Sequence, residues 1–170
     1  MKKIITAALV ALLLVSIASC AFAATGLGSY TKTTSTPATA EAAASVSVNV
    51  TMCAVTLDAE GKIVEIDFDV IQPKSNWETA VVETQTKNEL QDAYGMKRVS
   101  SIGKEYFEQL AHFENWCIGK TVADVLGMPV MDRGDGSHTH VPTDVDLAAG
   151  CTITLGDHFK ALEKAAADAK

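Results

Sequence analysis

The sequence predicts an α+β fold in which an antiparallel β-hairpin is followed by packed helices. The first observation is the alternation of apolar and polar residues over Val46 to Leu57, the period of a half-buried strand. The second is a similar run over Lys62 to Gln72, separated from the first by a turn at residues 58–61. The third is that the helical patterns follow this hairpin, which favours separate strands and helices over repeated βαβ units.

The central part of the chain contains two predicted helical segments. Lys87 to Tyr94 is expected to form a helical turn that stops at Gly95. A longer helix is expected to start after a Ser100 or Ser101 cap and to run to about Cys117. Its apolar residues recur at helical spacing along one face. A short strand is expected at 81–82.

The last third of the chain begins with a short capped helix and ends with a longer one. Thr121 and Asp124 have the spacing of a capping box. Residues 130–142 are predicted to form a loop, and 151–155 a short strand or an extended segment. The residues at 154–157 resemble a second capping box, with Thr154 as the N-cap of the final helix. That helix is expected to place Phe159 and Leu162 against the sheet.

The N-terminus has the pattern of a secretory signal peptide. Two lysines precede an apolar run over residues 4–17, which is too short to cross a bilayer comfortably. The small residues Ala21 and Ala23 predict cleavage before Ala24. A second interpretation is a lipobox ending in Cys20, and only a lipidated Cys20 would attach the protein to a membrane. Both interpretations predict export, with the protein secreted or held in the extracellular cell envelope.

The predicted organisation is therefore a signal peptide over 1–23, an arm over 24–45 and one domain over 46–170. The arm is predicted because 25–45 is rich in Ala, Ser, Thr and Gly. Removing the first 23 residues leaves 147 of the 170, enough for one domain with a substantial core.

Charge and cysteine content exclude several classes of protein. The removed segment carries two lysines and no acid, so the net charge of −7 becomes −9 in the mature chain. This acidity argues against nucleic-acid partners and against direct binding to anionic lipid. The mature chain keeps Cys53, Cys117 and Cys151, which permit at most one internal disulfide in any of three pairings. The chain is therefore not a disulfide scaffold.

The most informative motif lies at residues 146–152, directly before the final helix. Asp146, Gly150 and Thr152 match the pattern Asp-x-x-(Ser/Thr)-Gly-Ala-Thr, while Ala149 and Cys151 stand at its hydroxyl and alanine positions. The motif resembles the flavin acceptor site of the FMN-binding domain family. That family includes the flavin-carrying subunits of sodium-pumping quinone reductase and of related electron-transport complexes.

The resemblance implies that a flavin transferase links FMN through its phosphate to the Thr152 hydroxyl. Gly150 would let the backbone pass close to the phosphate, and Asp146 would orient the transferase or its metal. The free N–H groups at the start of the following helix favour an anion there. The cofactor-binding residues implied are therefore Thr152, Gly150 and Asp146, with FMN as a covalent cofactor.

Two functions follow from this resemblance. The first is an FMN-binding-type electron carrier that exchanges electrons with redox partners of the envelope and has no substrate of its own. The alternative is a flavin-free binding or structural module of the envelope with the same fold. The residues themselves contain no local signature of nucleophilic catalysis.

Two further groups of residues have competing interpretations. Tyr94 and Trp116 could stack on a flavin ring or pack in the core. His138 and His140 could bind a divalent metal together with nearby aspartates, but their spacing is not that of a tight zinc site. A solvated polar loop is the favoured interpretation of these histidines, and no metal site is predicted.

Overall fold

The computed structural model describes residues 23–76 and 84–170, and these form an α+β fold. The main sheet contains four strands: β1 (Ala24–Thr36), β2 (Ser45–Leu57), β3 (Ile63–Ile71) and β4 (Lys74–Asn76). Strand β2 lies in the middle, with β1 along one edge and β3 and then β4 along the other, all antiparallel to it. The predicted fold class is confirmed.

The β2–β3 hairpin forms where the alternating pattern predicts it. The pairing runs from Val50 with Ile71 to Leu57 with Ile63. In the turn, Asp58 accepts backbone hydrogen bonds from residues 60 and 62, and Gly61 has a φ of 76°. This left-handed conformation favours glycine, so the turn sequence fixes the register of the hairpin.

Five helices follow in the described part of the chain. Helix α1 spans Lys87–Leu90 and continues through 3₁₀ turns at Gln91–Tyr94 and Met96–Arg98. The others are α2 (Tyr106–Cys117), α3 (Val122–Leu126), α4 (Val145–Ala148) and α5 (Gly156–Asp168). The predicted stop at Gly95, which has a φ of 75°, is confirmed. The predicted loop at 130–142 is closed by two short paired strands, β5 (Val130–Met131) and β6 (Val141–Pro142).

The prediction of an arm over 24–45 is wrong for most of that segment, because Ala24–Thr36 forms strand β1. This strand pairs along the whole length of β2 and packs beneath α5. A Cβ added at Gly26 would overlap the carbonyl oxygen of Ala165, and one at Gly28 would overlap that of Ala161. The two glycines therefore allow a close approach of strand and helix, which a sequence of flexible-linker composition does not reveal.

Two predicted helix caps are also wrong. Helix α2 is capped by Glu105, which forms a capping box with Glu108, and not by Ser100 or Ser101. Helix α5 begins after Leu155 without a side-chain cap, so Thr154 is not its N-cap. The capping box of Thr121 and Asp124 at α3 is confirmed.

The core lies between the sheet and helices α2 and α5. Phe68 of β3 stacks on Phe113 of α2, with ring centroids 5.5 Å apart. Leu162 of α5 is fully buried in the core, whereas Phe159 is partly buried and its ring contacts Phe113 of α2 and His140. Burial of this apolar surface is the main stabilising contribution to the fold.

Other expectations concern residues that the structure does not describe. The signal peptide, the lipobox cysteine Cys20 and the short strand at 81–82 lie outside the described residues. None of the helices in the described part is long and apolar enough to cross a membrane.

A half-buried carboxyl at the edge of the core predicts a pH-dependent stability. The Glu114 side chain accepts a hydrogen bond of 2.8 Å from the N–H of Phe68. Burial, with a smaller contribution from Asp67 and Asp69, raises the pKa of Glu114 from 4.5 to about 7. Since the folded state holds this proton more tightly than the unfolded chain, the contribution to stability is complete below pH 4.5. It is lost as the pH rises through about 7.

We therefore expect Glu114→Gln to be more stable than the wild type at pH 8, by on the order of 1–2 kcal/mol, and to differ little at pH 4. Glutamine keeps the acceptor oxygen for Phe68 but cannot ionise. Urea unfolding at pH 4, 6 and 8 measures the effect, with the exposed Glu163→Gln as the control. If the wild type and Glu114→Gln lost the same amount of stability between pH 4 and pH 8, the Glu114 carboxyl would not titrate as described.

Candidate functional site

A cavity of about 840 Å³ opens between the sheet, α1, α2, the 132–140 loop and the start of α5. Its volume is within the range of small-molecule and cofactor sites. The lining is both polar and aromatic, and includes Tyr30, Thr51, Tyr94, Tyr106, Thr152 and His158. Of the predicted cofactor-binding residues, Thr152 lines this cavity, whereas Gly150 and Asp146 do not.

The Thr152 hydroxyl is held at the cavity wall by a buried glutamine. The Gln109 side-chain oxygen accepts hydrogen bonds from the Thr152 N–H, at 2.9 Å, and from its hydroxyl, at 3.2 Å. The Gln109 amide nitrogen donates to the backbone oxygen of Lys104, at 3.1 Å, and to the Ser100 hydroxyl. Gln109 is only 1% exposed. The Thr152 oxygen therefore has a fixed position, with its proton donated to Gln109, which also lines the cavity.

Gly150 and the backbone oxygen of Asp146 both contact the side chain of His112. A Cβ added at Gly150 would overlap the His112 ring, so only glycine fits beneath this imidazole. The ring nitrogen Nε2 of His112 forms a hydrogen bond of 3.0 Å with the backbone oxygen of Asp146. Asp146 lies in α4, and its side chain is exposed. His112 therefore fixes the turn that leads into Thr152, a contact that no sequence pattern predicts.

The position before Thr152 is occupied by a core residue. Cys151 is fully buried, while its neighbour Thr152 lines the cavity. The two side chains therefore point to different sides of the chain. Burial raises the pKa of the Cys151 thiol to about 12, and burial raises that of Cys53 to about 12 as well. All three cysteines of the described chain are free and buried, so they serve as core residues.

The start of α5 lines the same cavity as Thr152. Helix α5 begins at Gly156, and Gly156, Asp157 and His158 all face the cavity. The Thr154 hydroxyl oxygen is buried and has no hydrogen-bond partner among the described residues. A buried polar atom without a partner costs free energy, so this hydroxyl does not stabilise the fold through a hydrogen bond.

The cavity is basic although the protein is acidic. Among the described residues, its lining includes Lys32, Lys87, Arg133 and Lys160, against the single carboxylate of Asp157. The net charge of the whole chain is −7. Arg133 comes closest to the predicted acceptor, since its guanidinium donates to the Thr152 backbone oxygen at 3.4 Å. This concentration of positive charge favours an anionic ligand.

The deep wall of the cavity is formed by a tyrosine–histidine pair. The Tyr106 hydroxyl and His158 Nε2 form a buried hydrogen bond of 2.8 Å. Burial, assisted by the positive charge of Lys87, lowers the pKa of His158 to about 3. Burial also raises the pKa of Tyr106 well above its usual value. Both side chains are therefore neutral at physiological pH, and this wall carries no charge of its own.

Tyr94 and Trp116, the two candidates for stacking on a flavin ring, lie in different places. Tyr94 lines the cavity and packs edge to face on Tyr106, with ring centroids 5.6 Å apart. Trp116 packs on Phe113 at the core, away from the cavity lining. Tyr94 is therefore placed to contact a bound ring, whereas Trp116 is not.

The 132–140 loop is ordered by Asp135. The Asp135 carboxylate accepts backbone hydrogen bonds from Ser137 and His138, and forms an ion pair of 2.7 Å with the His138 ring when that ring is protonated. These hydrogen bonds lower the pKa of Asp135 to about 2. Within residues 23–76 and 84–170, no group of three or more metal-ligating side chains is arranged to hold a metal ion.

The fold and the site together define an α+β domain with a basic, aromatic-walled cavity at whose wall the Thr152 hydroxyl is fixed. The chain is 37% identical over 93 aligned residues to a protein of Desulfitobacterium hafniense named chlorophenol reductase. The match covers 44% of this chain and 28% of that protein. No protein-family model and no solved structure matches the chain.

Proposed function

We propose that this protein carries FMN, linked through its phosphate to the Thr152 hydroxyl, and transfers electrons between redox partners. The observation that carries the proposal is the position of Thr152. Its hydroxyl is fixed by Gln109 at the wall of a cavity that is large enough for a cofactor and basic in an otherwise acidic chain.

The residues present fit such a group. A phosphate on Thr152 would lie in the cavity that the Arg133 guanidinium and the first turn of α5 also line, and both favour negative charge. Tyr94 and Tyr106 provide aromatic surface for a planar ring.

The departures from the acceptor pattern are compatible with this proposal. Cys151 points into the core and not toward the cavity, so its larger side chain does not cover the Thr152 hydroxyl. Gly150, which the pattern requires, is needed here because His112 packs directly on it. The partial similarity to a protein named chlorophenol reductase is compatible with a redox role.

These contacts give FMN and the protein chain separate roles. FMN would supply the redox chemistry by accepting electrons and passing them on. The chain would hold the phosphate, exclude water from part of the ring and set its electrostatic environment. A flavin transferase is the partner required for attachment: it would break the pyrophosphate bond of a flavin–adenine dinucleotide, join the FMN phosphate to the Thr152 oxygen and release AMP, while the hydroxyl proton passes to solvent. The signal-like N-terminus favours redox partners of this protein that lie in the cell envelope. In this role the protein is a carrier without a substrate of its own.

The test is co-expression of the full chain with an active flavin transferase. We expect a yellow protein whose flavin stays attached after denaturation and whose intact mass increases by one FMN less one water. The double variant Ala149→Ser with Cys151→Ala restores the family pattern and should label at least as fully. If the wild type and this double variant both remain unlabelled, the flavin proposal fails, and a flavin-free binding or structural module becomes the better account.

A further inference from the structure

Lys87 is a half-buried cation on the aromatic wall of the cavity. Its ammonium lies 4.5 Å from the centroid of the Tyr106 ring and 5.0 Å from that of Tyr94. The residue is the first of α1, and the preceding Thr86 forms a capping box with Glu89. The cation is therefore held between two tyrosine faces by a short, capped helix.

No carboxylate forms an ion pair with this cation in the described part of the chain. The ion pair found there joins His138 and Asp135, and Lys87 takes no part in one. The negative charge of Asp69 contributes to the raised pKa of the neighbouring Tyr106. Its carboxylate, however, accepts the N–H groups of Val70 and Asn88 instead. Because Tyr106 and His158 are neutral, Lys87 supplies the formal charge of this wall.

The wall that carries Lys87 is connected to Thr152 through helix α2. Tyr106 and Gln109 lie three residues apart on this helix, so their side chains are neighbours on one face. Tyr106 contacts Lys87, and Gln109 holds the Thr152 hydroxyl. Thr152 and Lys87 both line the one cavity. A ligand attached at Thr152 that fills this cavity therefore meets the Lys87 charge.

Resting on the proposed function, we propose that Lys87 sets the redox potential of the flavin by stabilising its reduced, anionic form. A flavin ring that gains two electrons and one proton acquires one negative charge. A cation beside the ring favours this reduced form over the neutral oxidised one. This stabilisation requires only a positive charge at the wall, and Lys87 takes part in no proton transfer or covalent step.

The test is a reductive titration of the flavinylated full-length protein with dithionite against a reference dye. Lys87→Met keeps an unbranched side chain of similar length but removes the charge, and Lys87→Arg keeps the charge. We expect Lys87→Met to shift the reduction equilibrium at least about tenfold toward the oxidised form, which is about 30 mV for a two-electron couple. Lys87→Arg should remain near the wild type. Lys97→Met removes one charge outside the cavity lining and should shift the equilibrium much less.

Three results would overturn the inference. A Lys87→Met protein that is labelled normally and reduced at the wild-type potential would show that Lys87 does not act on the flavin, while the proposed function would stand. An equal shift in Lys97→Met would show a general effect of net charge. A wild type without flavin would overturn the proposed function itself, and the two failures are therefore distinguishable. Urea unfolding of Lys87→Met separates a loss of packing from the change in potential.

Discussion

Thr152→Ala is expected to abolish covalent flavin while leaving the fold intact. The substitution removes the hydroxyl that the phosphate requires, so labelling should fall to background. It also removes the hydrogen bond from that hydroxyl to Gln109, but the Thr152 N–H still donates to the same oxygen. The expected loss of stability is therefore only about 1 kcal/mol. Intact-mass measurement after co-expression with a flavin transferase, together with a urea unfolding curve, measures both effects.

Thr154→Ala is the matched control for this prediction. Thr154 lines the same cavity two residues away, and its buried hydroxyl has no partner among the described residues. Its removal breaks no hydrogen bond and no helix cap, so stability should change little and the covalent label should remain. Thr152→Ser restores a hydroxyl and should restore the label. Label retained in Thr152→Ala, or lost equally in Thr154→Ala, would contradict the assignment of Thr152.

Gln109→Leu is expected to cause a large loss of stability together with a loss of labelling. Leucine has a similar volume but provides no hydrogen bond. The Thr152 N–H loses its acceptor, and the Lys104 carbonyl loses the Gln109 amide as its donor. Because Gln109 is almost fully buried, we expect a loss of about 2–4 kcal/mol. Labelling should slow as well, since the Thr152 hydroxyl is no longer held at the cavity wall.

The control must separate a structural loss from misplacement of Thr152. Leu110 follows Gln109 on the same helix and is 1% exposed. Leu110→Ala should also lower the free energy of unfolding by about 2–5 kcal/mol. It leaves the acceptor of Thr152 in place. Initial labelling rates, compared at a temperature where both variants are folded, should be low for Gln109→Leu and near normal for Leu110→Ala. Equal rates would show that Gln109 supports the fold but does not position the acceptor.

The local elements of this fold were predictable from the sequence because their signals are local. The β2–β3 hairpin combines period-two alternation with an Asp and Gly turn, and the α3 capping box lies within four residues. Strand β1 was missed for the opposite reason. Its composition resembles that of a linker, and the helix that packs on it lies far along the chain, as in the hydrogen bond from the Leu27 N–H to the Asp168 carboxylate.

The sequence singled out Thr152 and Tyr94 in the candidate site, but not the contacts that surround Thr152. The acceptor pattern singled out Thr152, and the structure places that residue at the cavity. The pattern carried no information on Gln109 or His112, because both act through contacts made across 34 to 43 residues of sequence. Nor did it indicate that α5 would begin without a side-chain cap. The sequence did not predict the positive charge of the cavity, because its basic residues lie far apart along an acidic chain.

The most direct measurement of the central claim is site mapping of the flavin on the co-expressed wild-type protein. Trypsin should release a peptide covering residues 134–160, which contains both Thr152 and Thr154 along with two other threonines. Fragmentation by electron transfer leaves the phosphodiester attached and reads the modified position. The account predicts FMN on Thr152. An unmodified peptide from a protein exposed to active transferase, or FMN on Thr154, would contradict it.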